Sequence, residues 1–138
     1  MKVTIKKIVD AYKALGEAKV TKLEEAEVIK VIKARKAMRP IAEEYDEFFK
    51  DCQEKFKPED WDNIQKDLQQ WQKLTEARRI ELDIVLSGYK KKIDEAVKDE
   101  LERETELNIA TLKEESATKI LVENGWSVGK LDEIDIML

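Results

Sequence analysis

TKLEEAEVIKVIKARKAMRPIAEEYDEFFKDCQEKF, residues 21–56, opens a run of about ninety residues, Thr21 to Lys113, whose apolar side chains recur at helical spacing among dense charges. The stripe passes through Val28, Val31 or Ile32, Met38, Ile41, Tyr45, Phe48 or Phe49, Cys52 and Phe56. Steps of three and four gather these residues on one side of a long helix and leave Glu and Lys on the other. Thr21 and Glu24 have the spacing of a capping box at its start. Pro40 has no N–H and crowds the turn before it, which predicts a kink or break near Arg39.

A second stripe follows Lys57-Pro58: Trp61, Ile64, Leu68, Trp71, Leu74, Leu82, Val85 or Leu86, Tyr89, Ile93 and Val97. It predicts one helix to the neighbourhood of Glu104, with Pro58 near its first position and Glu59 and Asp60 against the positive end of its dipole. Two such helices joined by a short turn pack lengthwise as an antiparallel hairpin in the manner of a coiled coil. Arg35 and Arg78 fall where the stripe calls for apolar residues. Long side chains snorkelling from a seam and marks of a ligand site both fit that placement. Ser87-Gly88 weakens the second helix, since glycine costs about 1 kcal/mol against alanine there.

Outward from this run, MKVTIKK alternates: Val3 and Ile5 face one way, Lys2, Thr4 and Lys6 the other, the period of a half-buried strand at about 2–6. Ile8, Val9, Tyr12 and Leu15 then make a short helix that Gly16 is placed to end. Thr105 to Leu112 alternates again, and its natural partner is the N-terminal strand, because a two-stranded ribbon needs packing to survive. A helix from Glu114 to Glu123 is stopped by Asn124-Gly125. The final segment, Trp126 to Leu138, carries Leu131, Ile134, Ile136, Met137 and Leu138, which are costly to leave in water. The expected fold is mainly α: a long hairpin of three to four helices, with a small two-stranded sheet pairing the strand at 2–6 with one near 105–112.

At 138 residues, this is one domain's worth of chain, 1–138. Charged residues make up 41% and hydrophobic residues 42%, with four Gly and two Pro, a balance of long solvated helices. A net charge of -5 supplies no general drive onto phosphate backbones, so nucleic acid is not an expected partner, although a local basic patch is compatible with an acidic average. With one cysteine, no signal sequence and no 18-residue apolar span, the expectation is a cytoplasmic protein without membrane attachment.

The chain has no histidine, which removes the usual near-neutral general base and the commonest zinc ligand. Catalysis would have to rest on carboxylates, usually with magnesium. Glu43, Glu44 and Glu47 form EExxE, and Glu59 with Asp62 forms ExxD on the next helix, an arrangement able to hold magnesium against a nucleotide's phosphates. By this spacing the chain resembles the metal signature of all-α nucleotide pyrophosphohydrolases of the MazG type. The same acids at 59 and 62 also suit a helix start. Cys52 lies on the apolar stripe and reads as packing. Trp61 and Trp71 fit the hairpin seam, while Trp126, in GWSVG, and the apolar residues after it suit a contact for a partner. Lys90-Lys91-Lys92, beside Asp94, Glu95 and Asp99, reads as a solvated run.

In its layout the chain resembles small proteins of phage and prophage structural modules: an MKVTI opening strand, a helix ending near ALGEAKV, a charged EEYDEFF helix, and the closing ELNIATLKEESATKILVENGWSVGKLDEIDIML. The resemblance implies an accessory or assembly role without catalysis or cofactor. The leading expectation is therefore a protein-interaction or assembly factor, with partner contacts at Trp126, Val128, Leu131, Ile134 and Met137. The alternatives are a magnesium-dependent nucleotide hydrolase using Glu43, Glu44, Glu47, Glu59 and Asp62, and a self-associating structural protein.

Overall fold

A computed structural model describes residues 1–138. The chain is 75% helical, with six α-helices and one two-stranded antiparallel sheet. In order these are β1 (Lys2–Thr4), α1 (Ile5–Glu17), α2 (Glu25–Phe56), α3 (Trp61–Gln69), a 3₁₀ turn (Trp71–Lys73), α4 (Glu76–Glu102), β2 (Glu104–Glu106), α5 (Glu114–Asn124), α6 (Val128–Asp132) and a 3₁₀ turn (Asp135–Met137). The mainly α hairpin with a small sheet is the architecture expected. Its long arms are antiparallel: Glu44 of α2 neighbours Arg103, just past the end of α4, while further along α2 the carbonyl of Gln53 accepts from Tyr89 Oη at 3.0 Å. No helix is long and apolar enough to cross a membrane.

The backbone gathers into two compact units, one of Met1–Asp46 with Glu100–Leu138, the other of Glu47–Asp99. In the first, Lys2 pairs with Glu106, Val3 with Thr105 and Thr4 with Glu104. The second strand is thus shorter than the alternation of Thr105 to Leu112 suggests. Thr4 is still extended, at φ -73° and ψ 151°, and serves both as the last residue of β1 and as the N-cap of α1, its hydroxyl accepting from Lys7 N–H at 3.3 Å. Leu107 N–H still reaches the Met1 carbonyl at 3.0 Å; Asn108 to Thr111 have no strand opposite them.

The core of this unit joins Ile8, Ala11 and Leu15 of α1 to Val31, Ala34 and Met38 of α2, with Leu107, Leu112, Ile120, Ile134, Ile136 and Met137 closing it. The tail folds back because it is apolar at the right places: Ile134 and Met137 are fully buried, and Leu112 N–H donates to the Met137 carbonyl at 2.7 Å. Gly125, at φ 61°, supplies the left-handed turn after α5 that sends the chain this way.

Glu27 ties the start of α2 to the chain more than eighty residues later. Only 1% exposed, its Oε1 accepts from Lys113 N–H and Ser116 Oγ, both at 2.8 Å, at the start of α5. Lys30 Nζ lies 2.8 Å from Oε2 and donates to the Thr111 carbonyl at 3.0 Å. A second tie joins Asn124 to Lys19, with backbone N–H and carbonyl both engaged at 2.7 and 2.8 Å. Thr21 donates its hydroxyl to Glu123 and does not cap α2, which instead begins at Glu25 with Glu24 accepting the first backbone bonds. The capping-box expectation fails because the loop Ala18–Glu24 is held by α5.

Gly16 does not end α1, which runs on to Glu17. Its missing Cβ makes room for Arg35: an added Cβ would stand 2.7 Å from that guanidinium, which is stacked 4.3 Å above the Tyr12 ring. Pro40 also fails to break α2. Pro40 and Lys36 are exposed, so the carbonyl left without its usual donor can turn to water.

In the second unit the expected single helix after Pro58 is divided. α3 ends at Gln69, and α4 restarts after Thr75, whose hydroxyl accepts from Arg78 N–H at 3.2 Å. Arg78 then holds the two helices together, with Nε and Nη2 each 2.8 Å from Asp67 Oδ2. Arg79 donates to the carbonyls of Trp71 and Gln72 in the turn between them. Cys52, Ile64, Leu82, Ile93 and Val97 are buried, and Trp61 meets Tyr89 at 5.1 Å between ring centres. Trp71 lies in the 3₁₀ turn and not on a helical seam.

Two outcomes follow from the first unit. Met137→Ala should cost about 2–5 kcal/mol by chemical denaturation, against less than about 0.5 kcal/mol for exposed Val128→Ala. The ion pair with Lys30, then the Lys113 N–H and the Ser116 hydroxyl, hold the Glu27 pKa down to about 2 from an ordinary 4.5, against the opposing effect of burial. A depressed folded-state pKa stabilises fully above the unfolded value and is lost as pH falls. Melting temperature should therefore drop between pH 4.5 and about 2, and Glu27→Gln should be less stable at neutral pH and flatter across that window. A wild-type melting curve unchanged by Glu27→Gln at both ends would refute the assignment.

Candidate functional site

Between Val28 and Ala42 the chain contains Lys30, Lys33, Arg35, Lys36 and Arg39 and no acid, although it is acidic as a whole. Acids return on both sides, at Glu24, Glu25 and Glu27 and again at Glu43 and Glu44. Helical geometry sorts this segment. Val31, Ala34, Met38 and Ala42 turn into the core, and Arg35 lies along Tyr12. Lys33, Lys36 and Arg39 stand in solvent without an ion-pair partner, and Ile29 and Ile32 are 42% and 60% exposed. The result is a basic, apolar strip along α2.

A cleft of about 410 Å³ opens beside the strip. Ala26, Ile29, Lys30, Lys33 and Ala34 of α2 form one wall; Asn108, Ile109 and Ala110 form the other. The second wall is chain outside helix and strand that has run past the ladder, beyond the bond of Leu107 N–H to the Met1 carbonyl. The N–H groups of Asn108 to Thr111 and the carbonyls of Asn108 to Ala110 make no hydrogen bond within the protein. The cleft therefore offers unpaired backbone donors and acceptors opposite an apolar surface, with an ammonium group at Lys33.

The residues expected to bind a partner at the tail are divided by the fold. Ile134 and Met137 are fully buried in the core, which removes them from any partner-facing set. Leu131 and Trp126 pack partly buried against that core, with Lys130 Nζ 5.8 Å from the Trp126 ring. Val128 alone of the five is well exposed, at 71%. The tail meets its own unit because that satisfies its apolar residues within one chain.

Glu43, Glu44, Glu47, Glu59 and Asp62 are all exposed. No three carboxylate or cysteine side chains come together in a group able to hold a metal ion. The EExxE and ExxD spacings thus produce solvated helix faces and no coordination sphere. Arg78 is engaged by Asp67 and Glu81, and Cys52 is buried. No protein-family model, curated protein or solved structure matches the chain.

The α2 strip was visible in the sequence as the one long acid-free basic stretch, a signal diluted when charge is averaged over the chain. The second wall of the cleft was not, because it depends on the register that sets Lys2 opposite Glu106 and Leu107 against Met1. Adding magnesium at millimolar concentration should leave the melting temperature unchanged, since a ligand that binds only the folded state raises it. A concentration-dependent rise abolished by Glu47→Gln with Glu59→Gln would show that the carboxylates do gather.

Proposed function

We propose that this protein is a non-catalytic protein-interaction or assembly factor, of the kind encoded in phage and prophage structural modules, and that α2 is its docking face. The observation that carries this reading is the pair Ile29 and Ile32, exposed within an acid-free basic stretch, with Ile29 lining an open cleft. Interfaces concentrate their energy in a few apolar anchors, while surrounding charges set orientation and speed of encounter. Isolated exposed isoleucines are ordinary on a protein surface; two on adjacent turns, one of them lining a recess, among three unpaired cations are a patch with a direction.

The reading predicts that a photo-crosslinking residue at Ile32, in the full chain expressed in its own host, yields a discrete adduct. Lys33→Glu with Lys36→Glu should lose most of it. An equal yield of the same adduct from Val128, or an adduct at Ile32 insensitive to charge reversal, would place docking elsewhere.

A further inference from the structure

We infer that the cleft takes an extended acidic, apolar peptide, which adds as a strand to Asn108–Thr111 and lays its apolar side chains on α2. This deepens the proposed function and rests on it. The backbone decides the conformation of the occupant. Asn108 to Thr111 lie outside every helix and strand, and apart from the Thr111 carbonyl, which Lys30 holds, their backbone groups make no hydrogen bond within the protein, so a ligand covering them must supply partners in place of water. A helix satisfies its own backbone and would bury them without partners; a strand supplies donors and acceptors in register.

The opposite wall decides side-chain chemistry. A strand sends alternate side chains to opposite faces, so one set is directed at Ile29 and the nearly closed surface of Ala34. Four strand residues span about 13 Å, and α2 from Ala26 to Lys36 covers about 15 Å. The two walls thus serve the same length of peptide. Lys30 is already occupied by Glu27 and the Thr111 carbonyl, whereas Lys33 on the wall and Lys36 one turn on are free. Acidic groups in the peptide would meet them. The cleft has no aromatic side chain on which a nucleic-acid base could stack, and its recess suits a chain more than a membrane surface.

The probe is a fluorescein-labelled peptide of alternating glutamate and valine, compared with its lysine-for-glutamate version, a helix-forming acidic peptide of leucine and glutamate, oligo(dT), and vesicles containing phosphatidylserine. Binding is read by anisotropy, and amide hydrogen exchange is followed with the same peptide on the full chain. The glutamate–valine peptide should bind best, weaken with salt, and slow exchange at Asn108–Thr111 by more than about tenfold. Ile29→Glu or Lys33→Glu, both at exposed positions and checked for folding by circular dichroism, should weaken it by about tenfold. No binding, binding without protection of those amides, a preference for the helical peptide, or binding of oligo(dT) or vesicles alone would each overturn the inference. If the peptide fails while charge-sensitive cross-linking from Ile32 persists, the occupant is wrong and the docking face stands; if both fail, both fall.

Discussion

The buried carboxylate of Glu27 organises the first unit because it is charged and has nowhere to go. A carboxylate removed from water must be met by donors, and three arrive from different directions: the Lys30 ammonium from the next turn of α2, the Lys113 N–H and the Ser116 hydroxyl from the start of α5. Lys113 precedes the first turn of α5, so the same negative charge satisfies an otherwise orphaned donor and faces the positive end of the helix dipole. Lys30 also reaches the Thr111 carbonyl, so one ion pair fixes both α2 and the strand-to-helix connection at 107–113. The apolar tail closes over this connection, and the bond from Leu112 N–H to the Met137 carbonyl joins the two.

Legibility in the sequence followed the range of the interaction. Periodicity over many residues identified α1, the two long arms, α5 and the pairing of the N-terminal strand with the segment after α4, because burial on one face imposes a period whatever the partner is. Single-residue punctuation was less informative. Gly16 and Pro40 look like helix ends, yet one makes space for Arg35 and the other lies where its consequences are solvated. Thr75 looks like nothing in particular, yet it restarts a helix whose stripe runs through Trp71 and Leu74 without a visible gap. Tertiary context decided each case.

The same distinction explains the fate of the candidate sites. Five acids at metal-like spacing remain separate because helix spacing alone says nothing about what a facing element supplies. The tail's apolar residues were correctly costly to expose, but sequence does not say whether a second chain or the rest of this one covers them; here Ile134 and Met137 are covered from within. Glu27 was hidden for the opposite reason. On a charged helix a glutamate beside other glutamates reads as solvent-facing, and its donors lie more than eighty residues away.

The open edge at Asn108–Thr111 follows from the register of the small sheet. The ladder runs antiparallel from Thr4 opposite Glu104 to Lys2 opposite Glu106, and its last backbone bond joins Leu107 N–H to the Met1 carbonyl, so the chain from Asn108 onward lies past it. Beyond it, Leu107 and Leu112 are buried and pin the chain at each end, while Lys30 holds the Thr111 carbonyl. The segment between is therefore held by its ends and not by a neighbouring strand. That is an uncommon way to present an edge, since natural sheets usually shield theirs with charge, proline or a covering element. Here the nearest cover is α2, and between α2 and the edge lies a recess walled with isoleucine and lysine. The interaction that stabilises the unit also leaves its backbone available to a second chain.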